Sequence, residues 1–295
     1  MTRHLLTLYT RTPLHVGCGT SVDVVDLPIM RERITKFPVI PGSSLKGVLL
    51  QAAREHFESG THARSKDSLP TEAKLLFGAI EEGDDAKQIS NAGCVQIMEA
   101  KLLAFPVRSL AGCFAWITCP AVLERFKRDT GKSFTVPQPA KDHVIPGSDL
   151  VVNGQVVLEE YALAQETGKN VTDTAAAIKG CTADPLWTTN LEKRLAILHD
   201  ENFQHFVTTC TEVVTRVKID PRSRTVDGGA LFNQENVPCE ALFYSVLTIV
   251  PPRRANGSDA SALLTGLLKA NPTLQIGGDE TTGHGLCETK QEELK

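Results

Sequence analysis

Apolar residues recur at Leu45, Val48, Leu49, Ala52, Ala53 and Phe57, offsets 0, 3, 4, 7, 8 and 12 along the chain. That spacing draws one apolar stripe down an α-helix, and Pro41-Gly42-Ser43-Ser44 supplies residues suited to start and cap it. A helix with a single apolar face must bury it, and the segments around this one have the signature of strands. His4–Tyr9 is an apolar run closed by the turn formers Thr12-Pro13, and 94–104, 113–118, 155–163 and Ala241–Val250 read as further strands. A second helix is expected over 190–209, with Asn190 as its cap and Leu191, Leu195, Leu198, Phe203 and Phe206 as its stripe, and a third near 259–270. Glu212–Ile219, the turn Asp220-Pro221-Arg222-Ser223-Arg224 and Gly228-Gly229-Ala230-Leu231-Phe232 read as a β-hairpin with a basic tip. Strands alternating with few helices, and no internal repeat, suit an α+β ferredoxin-like sheet. We read residues 1–295 as a single domain carrying a partly mobile, charge-rich insertion at about 58–92, which includes Glu81-Glu82-Gly83-Asp84-Asp85.

No segment is apolar enough for a signal peptide or a bilayer-spanning helix, so a cytoplasmic location without membrane contact is the expectation. The eight cysteines are spread over positions 18 to 287 with no CxxC spacing, which argues for buried free thiols rather than structural zinc. The net charge of −4 excludes a uniformly basic nucleic-acid binder, so any phosphate contact needs local positive charge. Two basic islands exist: Met1–Arg54 holds seven Lys or Arg against three Asp or Glu, and Val214–Val226 holds Arg216, Lys218, Arg222 and Arg224 against Asp220. Aromatic residues are only 5%, which argues against extensive base stacking and assigns Trp116 and Trp187 to packing.

The densest chemistry lies in residues 12–47, which bring together His15, Gly17, Gly19, Asp23, Asp26, Arg31, Arg33, Lys36, Ser43, Ser44 and Lys46. Loop glycines let backbone amides approach phosphates, and a helix starting after Gly42 presents free N–H groups to an anion, with Lys46 adding charge. A nucleotide P-loop is excluded, because Gly42-Ser43-Ser44-Leu45-Lys46-Gly47 lacks its spacing and its magnesium-binding hydroxyl. Asp23 and Asp26 are both candidate acids at this point. A capping aspartate in the turn before Leu27-Pro28 explains Asp26 equally well.

Three blocks narrow the choice: Leu14-His15-Val16-Gly17-Cys18-Gly19-Thr20, Val25-Asp26-Leu27-Pro28-Ile29, and Phe37-Pro38-Val39-Ile40-Pro41-Gly42-Ser43-Ser44-Leu45-Lys46-Gly47. Together with Gly229-Ala230-Leu231-Phe232, Glu235–Glu240 and Gln275-Ile276-Gly277-Gly278 through Gly283-His284-Gly285, they resemble the RAMP-superfamily backbone subunits of type III-B CRISPR effectors, the Cmr complex. The middle of the chain matches only loosely, and Asp23 and Cys18 depart from the small or apolar residues usual there.

The resemblance implies a ferredoxin-like (RRM-type) core with insertions and a protruding β-hairpin thumb, here about 216–235. It implies a subunit that stacks with other copies of itself along CRISPR RNA, beside other Cmr complex subunits, and cuts the paired target RNA beside each displaced base. Mapped onto this chain, Asp26 is the catalytic aspartate and His15 the loop histidine; on residue chemistry, Asp26 would bind a divalent ion or accept the proton, and Glu235, following the hairpin, is the candidate second acid. The divalent cofactor would be Mg2+ or Mn2+, held by one carboxylate and completed by substrate phosphates. Guide-backbone contacts fall to Lys46, Ser43, Ser44, Gly17, Gly19, Arg31, Arg222, Arg224, Gly277 and Gly278, and Arg33 is a further basic candidate. Two rival readings remain: a filament scaffold that binds RNA without cutting, and a metabolic enzyme whose glycine loops hold a phosphorylated small molecule.

Overall fold

The computed structural model describes residues 1–20, 25–58, 69–82, 88–220, 222–251 and 259–294. At its centre four strands lie in the spatial order Leu286–Leu294, Thr2–Thr10, Leu242–Ile249, Ala100–Arg108, each antiparallel to its neighbour. The helix Gly42–Phe57 follows the first of these strands in the chain, and the helix Ala260–Ala270 follows the third.

Side chains alternate faces along a strand, and the strand Thr2–Thr10 divides accordingly. His4, Leu6 and Leu8 face the helical side, where the His4 Nε2 lies 3.1 Å from Ser261 Oγ. The helices bring Leu45, Leu49, Ala52 and Ala53, and Leu264, Leu267 and Leu268, into the core. Arg3, Leu5, Thr7 and Tyr9 face the other way, and that side is covered as well. The Tyr9 ring meets Trp187 edge-on at 5.7 Å, Trp187 meets Trp116 at 5.1 Å, and Thr7 donates to the Cys181 carbonyl. Both tryptophans are fully buried, as the packing assignment anticipated. A strand covered on both faces needs a continuous apolar run, and that is why His4–Tyr9 shows no polar alternation. It also means bases cannot stack on this part of the sheet, so functional groups must lie at strand ends and in loops.

Beyond Ala100–Arg108 the sheet continues through Phe114–Thr118, Leu195–Leu198, His143–Pro146, Tyr161–Gln165 and Gln155–Leu158. The expected helix over 190–209 is thereby corrected. It is a helix Pro185–Arg194, a strand Leu195–Leu198 and a helix Asp200–Thr209. Leu195, Ala196, Ile197 and Leu198 are all fully buried between two neighbouring strands, so pairing overrides a leucine spacing that mimicked a helix. Asp184, not Asn190, caps the first helix, accepting from the N–H groups of Leu186 (2.7 Å) and Trp187 (3.2 Å).

Neither Ser43 nor Ser44 caps the helix Gly42–Phe57, whose N-cap residue Pro41 makes no side-chain cap bond. Within 58–92, the described residues hold a helix Thr71–Phe77, with Ala73, Leu76 and Phe77 buried, and a ladder of Gly78–Glu82 with Gln88–Ala92. Residues 59–68 and 83–87 lie outside the description. The helix Pro120–Thr130 was not anticipated, although Pro120 in its first turn is a start signal. Cys94, Cys119, Cys181 and Cys287 are buried, but Cys18 and Cys113, both in connecting loops, are exposed. Among the described residues, no helix is long and apolar enough to cross a membrane.

The strands Glu212–Ile219 and Val226–Asn236 form a two-stranded ladder separate from the main sheet. Its pairing runs from Glu212↔Asn236 to Ile219↔Val226, longer at the base than the expected 216–235. Val213, Val217, Ile219, Val226 and Leu231 on it are each about half exposed or more.

Candidate functional site

Residues 13–18 are held on three sides. Leu14 exchanges both backbone hydrogen bonds with Val237 (2.8 and 2.9 Å), Met30 N–H donates to the Val16 carbonyl (2.7 Å), and Gly278 N–H donates to the His15 carbonyl (2.9 Å). A Cβ on Gly277 would sit 2.1 Å from the His15 carbonyl oxygen, and the φ of +81° at Gly277 is left-handed. Glycine is required there because two backbones meet. Gly277 and Gly278, expected as RNA contacts, therefore spend their backbone on fixing His15. Gly17 makes room for the imidazole, since a Cβ there would lie 2.7 Å from His15 Nε2, whereas Gly19 opens onto free space.

The loop carrying Asp26 docks along the edge of the hairpin strand Val226–Asn236. Leu27 N–H donates to the Asn233 carbonyl and Glu235 N–H to the Leu27 carbonyl, both at 3.0 Å. The exposed Asp26 accepts the Asn233 N–H on Oδ2 at 2.7 Å. His15 Nδ1 lies 2.7 Å from the Glu235 carbonyl. A carbonyl only accepts, so Nδ1 carries the proton and Nε2 of the neutral ring is left as the acceptor. Asp26 and His15 are thus pinned to the same strand two residues apart, about 7 Å at the rise of an extended chain. Asp23 lies outside the described residues.

Glu235 is only 6% exposed and its carboxylate is fully engaged. It accepts from Ile29 N–H (3.0 Å) and Thr211 Oγ1 (2.8 Å) and pairs with Arg31 at 2.5 Å. Arg31 also donates to the carbonyls of Lys36 (2.8 Å) and Val207 (2.9 Å). In this arrangement the Glu235 and Arg31 side chains brace the Asp26 loop from behind. Glu235 does not face solvent as a proton-transfer acid would, and the partly exposed Arg31 already donates to three acceptors.

Ser43 and Lys46 are exposed and Ser44 partly so at a helix start with no acidic residue in its first turn. Arg222 and Arg224 are exposed at the hairpin tip, where Asp220 Oδ1 accepts the N–H groups of Arg222 and Ser223 at 2.7 and 2.8 Å. Those two bonds hold the Asp220 carboxyl below its ordinary range and leave both guanidinium groups outward. Asn233, Gln234, Thr211 and Asp279 were not singled out from sequence. They reach the loop from some 180 residues or more away in the chain, and no local pattern marks them. Among the described residues, no three His, Cys, Asp or Glu side chains gather closely enough to hold a metal ion by themselves.

A family model described as the RAMP superfamily matches residues 7–288. The chain belongs to the RAMP superfamily. It is 37% identical to the Cmr endoribonuclease Cmr4 of Pyrococcus furiosus over 303 residues, covering all of this chain and 97% of that one. It is 25% identical to the Cmr4 subunit of Saccharolobus solfataricus, covering 95% and 93%. The crystal structure of oligomeric Cmr4 from Pyrococcus furiosus superposes with a TM-score of 0.75 at 31% identity, covering all of this chain and 99% of that one. A subunit of a type III-B Cmr-β complex bound to cognate target RNA shares the fold at 21% identity and a TM-score of 0.73, covering 98% and 96%. The RAMP likeness read from the two ends of the sequence thus extends through its middle.

Proposed function

We propose that this chain is the backbone subunit of a type III-B CRISPR ribonucleoprotein that stacks on CRISPR RNA with further copies of itself and with other Cmr subunits. In that assembly it cuts complementary target RNA at regular intervals. The observation that carries this reading is the pinning of Asp26 and His15 to one edge of the protruding hairpin. The strand order 4-1-3-2, with a helix after the first and third strands, supports a ferredoxin-like core. The separate ladder Glu212–Asn236, with its basic tip, supports a thumb that displaces a base.

RNA supplies its own nucleophile, the 2′-hydroxyl. Its attack on the adjacent phosphorus closes a 2′,3′-cyclic phosphate and breaks the bond to the next nucleotide's 5′-oxygen, which takes a proton from water. The step needs in-line geometry, a proton acceptor and stabilisation of the phosphate charge. A displaced base swings its backbone toward that geometry. His15 Nε2, unprotonated in the neutral ring, accepts the hydroxyl proton. Asp26, its carboxylate held by the Asn233 N–H, orients the reacting groups, and the tip arginines and the helix start at Gly42 hold guide phosphates without reading sequence. One carboxylate oxygen is too little for a metal site built of protein alone, but it fits a Mg2+ or Mn2+ ion completed by substrate phosphates, which would supply charge neutralisation at the scissile group.

Asp26→Asn in the assembled complex is the test. Cleavage is expected to vanish while guide and target RNA stay bound. Cutting that survives at the wild-type rate transfers the role to another acid, Asp23 first. A wild-type complex that binds but never cuts establishes the scaffold reading instead.

A further inference from the structure

Asp279 stands in the glycine-rich loop before the C-terminal strand, and its backbone is left-handed at φ +64°, a conformation that a non-glycine residue keeps only when its surroundings hold it there. Both of its carboxylate oxygens are used. Oδ1 pairs with Arg216 at 2.9 Å, and Oδ2 accepts from Gln234 Nε2 at 2.6 Å. Arg216 lies on one hairpin strand and Gln234 on the other. A single aspartate therefore ties both strands to the loop whose Gly278 N–H fixes the His15 carbonyl.

The placement of Gln234 matters further. It sits between Asn233, whose N–H holds Asp26, and Glu235, whose carbonyl holds His15. Three consecutive hairpin residues thus anchor Asp26, Asp279 and His15 in turn. Gln234 is 2% exposed and also donates to the fully buried Asn236, so its amide has one well-determined orientation. The Asp279 carboxyl is held below its ordinary range although burial alone would raise it, because the Gln234 hydrogen bond and the Arg216 guanidinium oppose that burial. The guanidinium is consequently spent on a carboxylate, which removes Arg216 from the set of free phosphate ligands.

We propose that Asp279, acting through Arg216 and Gln234, is the positioning residue that sets the hairpin at a fixed angle to the cleavage centre. A nucleotide displaced by the hairpin then arrives in register with Asp26 and His15. Neither Asp279 nor Arg216 needs to touch the reacting atoms. The inference rests on the cleavage reading above, and its loss mechanism is misalignment, for which a displacement of about 1 Å costs on the order of a hundredfold in rate.

The test uses the assembled guide complex. Asp279→Ala and Arg216→Ala are each expected to slow target cleavage by about tenfold to a hundredfold, with guide and target affinities within about twofold of wild type. The exchanged pair, Arg216→Asp with Asp279→Arg, restores the ion pair in reverse, and the Gln234 amide oxygen can accept from the new arginine. It is expected to recover most of the lost rate, which a merely space-filling role does not predict. Amide hydrogen exchange over 212–219 and 273–286 is expected to rise in each single variant and to fall again in the exchanged pair. The proposal is overturned if Asp279→Ala cuts at the wild-type rate, if the exchanged pair is no better than either single change, or if RNA affinity falls in step with rate, which would make Arg216 an RNA contact. Should the wild-type complex itself fail to cut, the cleavage reading fails, and unchanged hydrogen exchange in Asp279→Ala would separately sink the strut.

Discussion

Glu235→Gln separates a brace from a catalyst, because it changes one charge and almost no volume. The carboxylate accepts from Ile29 N–H at 3.0 Å, Thr211 Oγ1 at 2.8 Å and Arg31 at 2.5 Å, while its own residue is 6% exposed. The glutamine amide presents an N–H₂ where one of those donors now points, and the Arg31 side chain, 15% exposed, loses its counter-charge. Breaking a buried pair on one side costs about 3–5 kcal/mol. Arg31 keeps two carbonyl acceptors, Lys36 and Val207, and some exposure, so we place the loss lower, at about 2–3 kcal/mol. For a chain of this size that corresponds to a fall in Tm of roughly 3–5 °C. Thermal and urea denaturation of the purified chain measure it, alongside cleavage in the complex. Adding Arg31→Gln removes the stranded charge and is expected to return part of the stability. A glutamine variant with wild-type Tm and no cleavage refutes the brace and restores Glu235 as a proton-transfer group.

Gly277→Ala places a methyl 2.1 Å from the His15 carbonyl oxygen at a left-handed φ, so cleavage is expected to fall at least tenfold in the assembled complex, with guide binding retained. The His4 imidazole is buried between Ser261 and Gln291, and burial lowers its pKa from 6.5 against the opposing charge of Glu293. Because the folded state prefers the neutral ring, its contribution is complete above about pH 6.5 and is lost as pH falls below it. Urea unfolding between pH 7.5 and 5.5 is expected to show that loss in the wild type and a flatter difference in His4→Gln. Chelation with EDTA is expected to stop target cleavage without releasing guide RNA, and added Mg2+ or Mn2+ to restore it; undiminished cutting in EDTA removes the metal from the scheme.

The helix Gly42–Phe57 and the hairpin were legible because each is written in a local period, the Leu45–Phe57 stripe in one case and the turn Asp220–Arg224 between β-rich runs in the other. The strand Leu195–Leu198 was not, since its four residues continue the spacing of the helix before it and only pairing with Phe114–Thr118 and His143–Pro146 decides its form. The site divides in the same way. Asp26 and His15 stood out through their motif blocks, whereas Arg31 was read as a guide-backbone contact and Glu235 as a second acid, because nothing near either residue announces a partner 204 positions away. Gly277 and Gly278 were read as places where backbone approaches closely, and the backbone of His15 lies against both.

The core arrangement leaves the site little choice of location. With both faces of the strand Thr2–Thr10 covered, RNA has no open surface there on which to lie, and contact falls to the loops and the hairpin. The hairpin strand Val226–Asn236 supplies backbone anchors for Asp26 and His15, while its side chain at Gln234 is fixed to the loop that also holds His15. In the proposed assembly, base displacement and phosphodiester cleavage then belong to one braced unit rather than two parts that must find each other. The interval between cuts follows from the stacking repeat of the subunits, and the position of each cut beside its displaced base follows from contacts within a single chain. In the proposed function, one exposed carboxylate and one imidazole serve each step, and placement is supplied by residues such as Glu235 and Asp279, which lie behind Asp26 and His15.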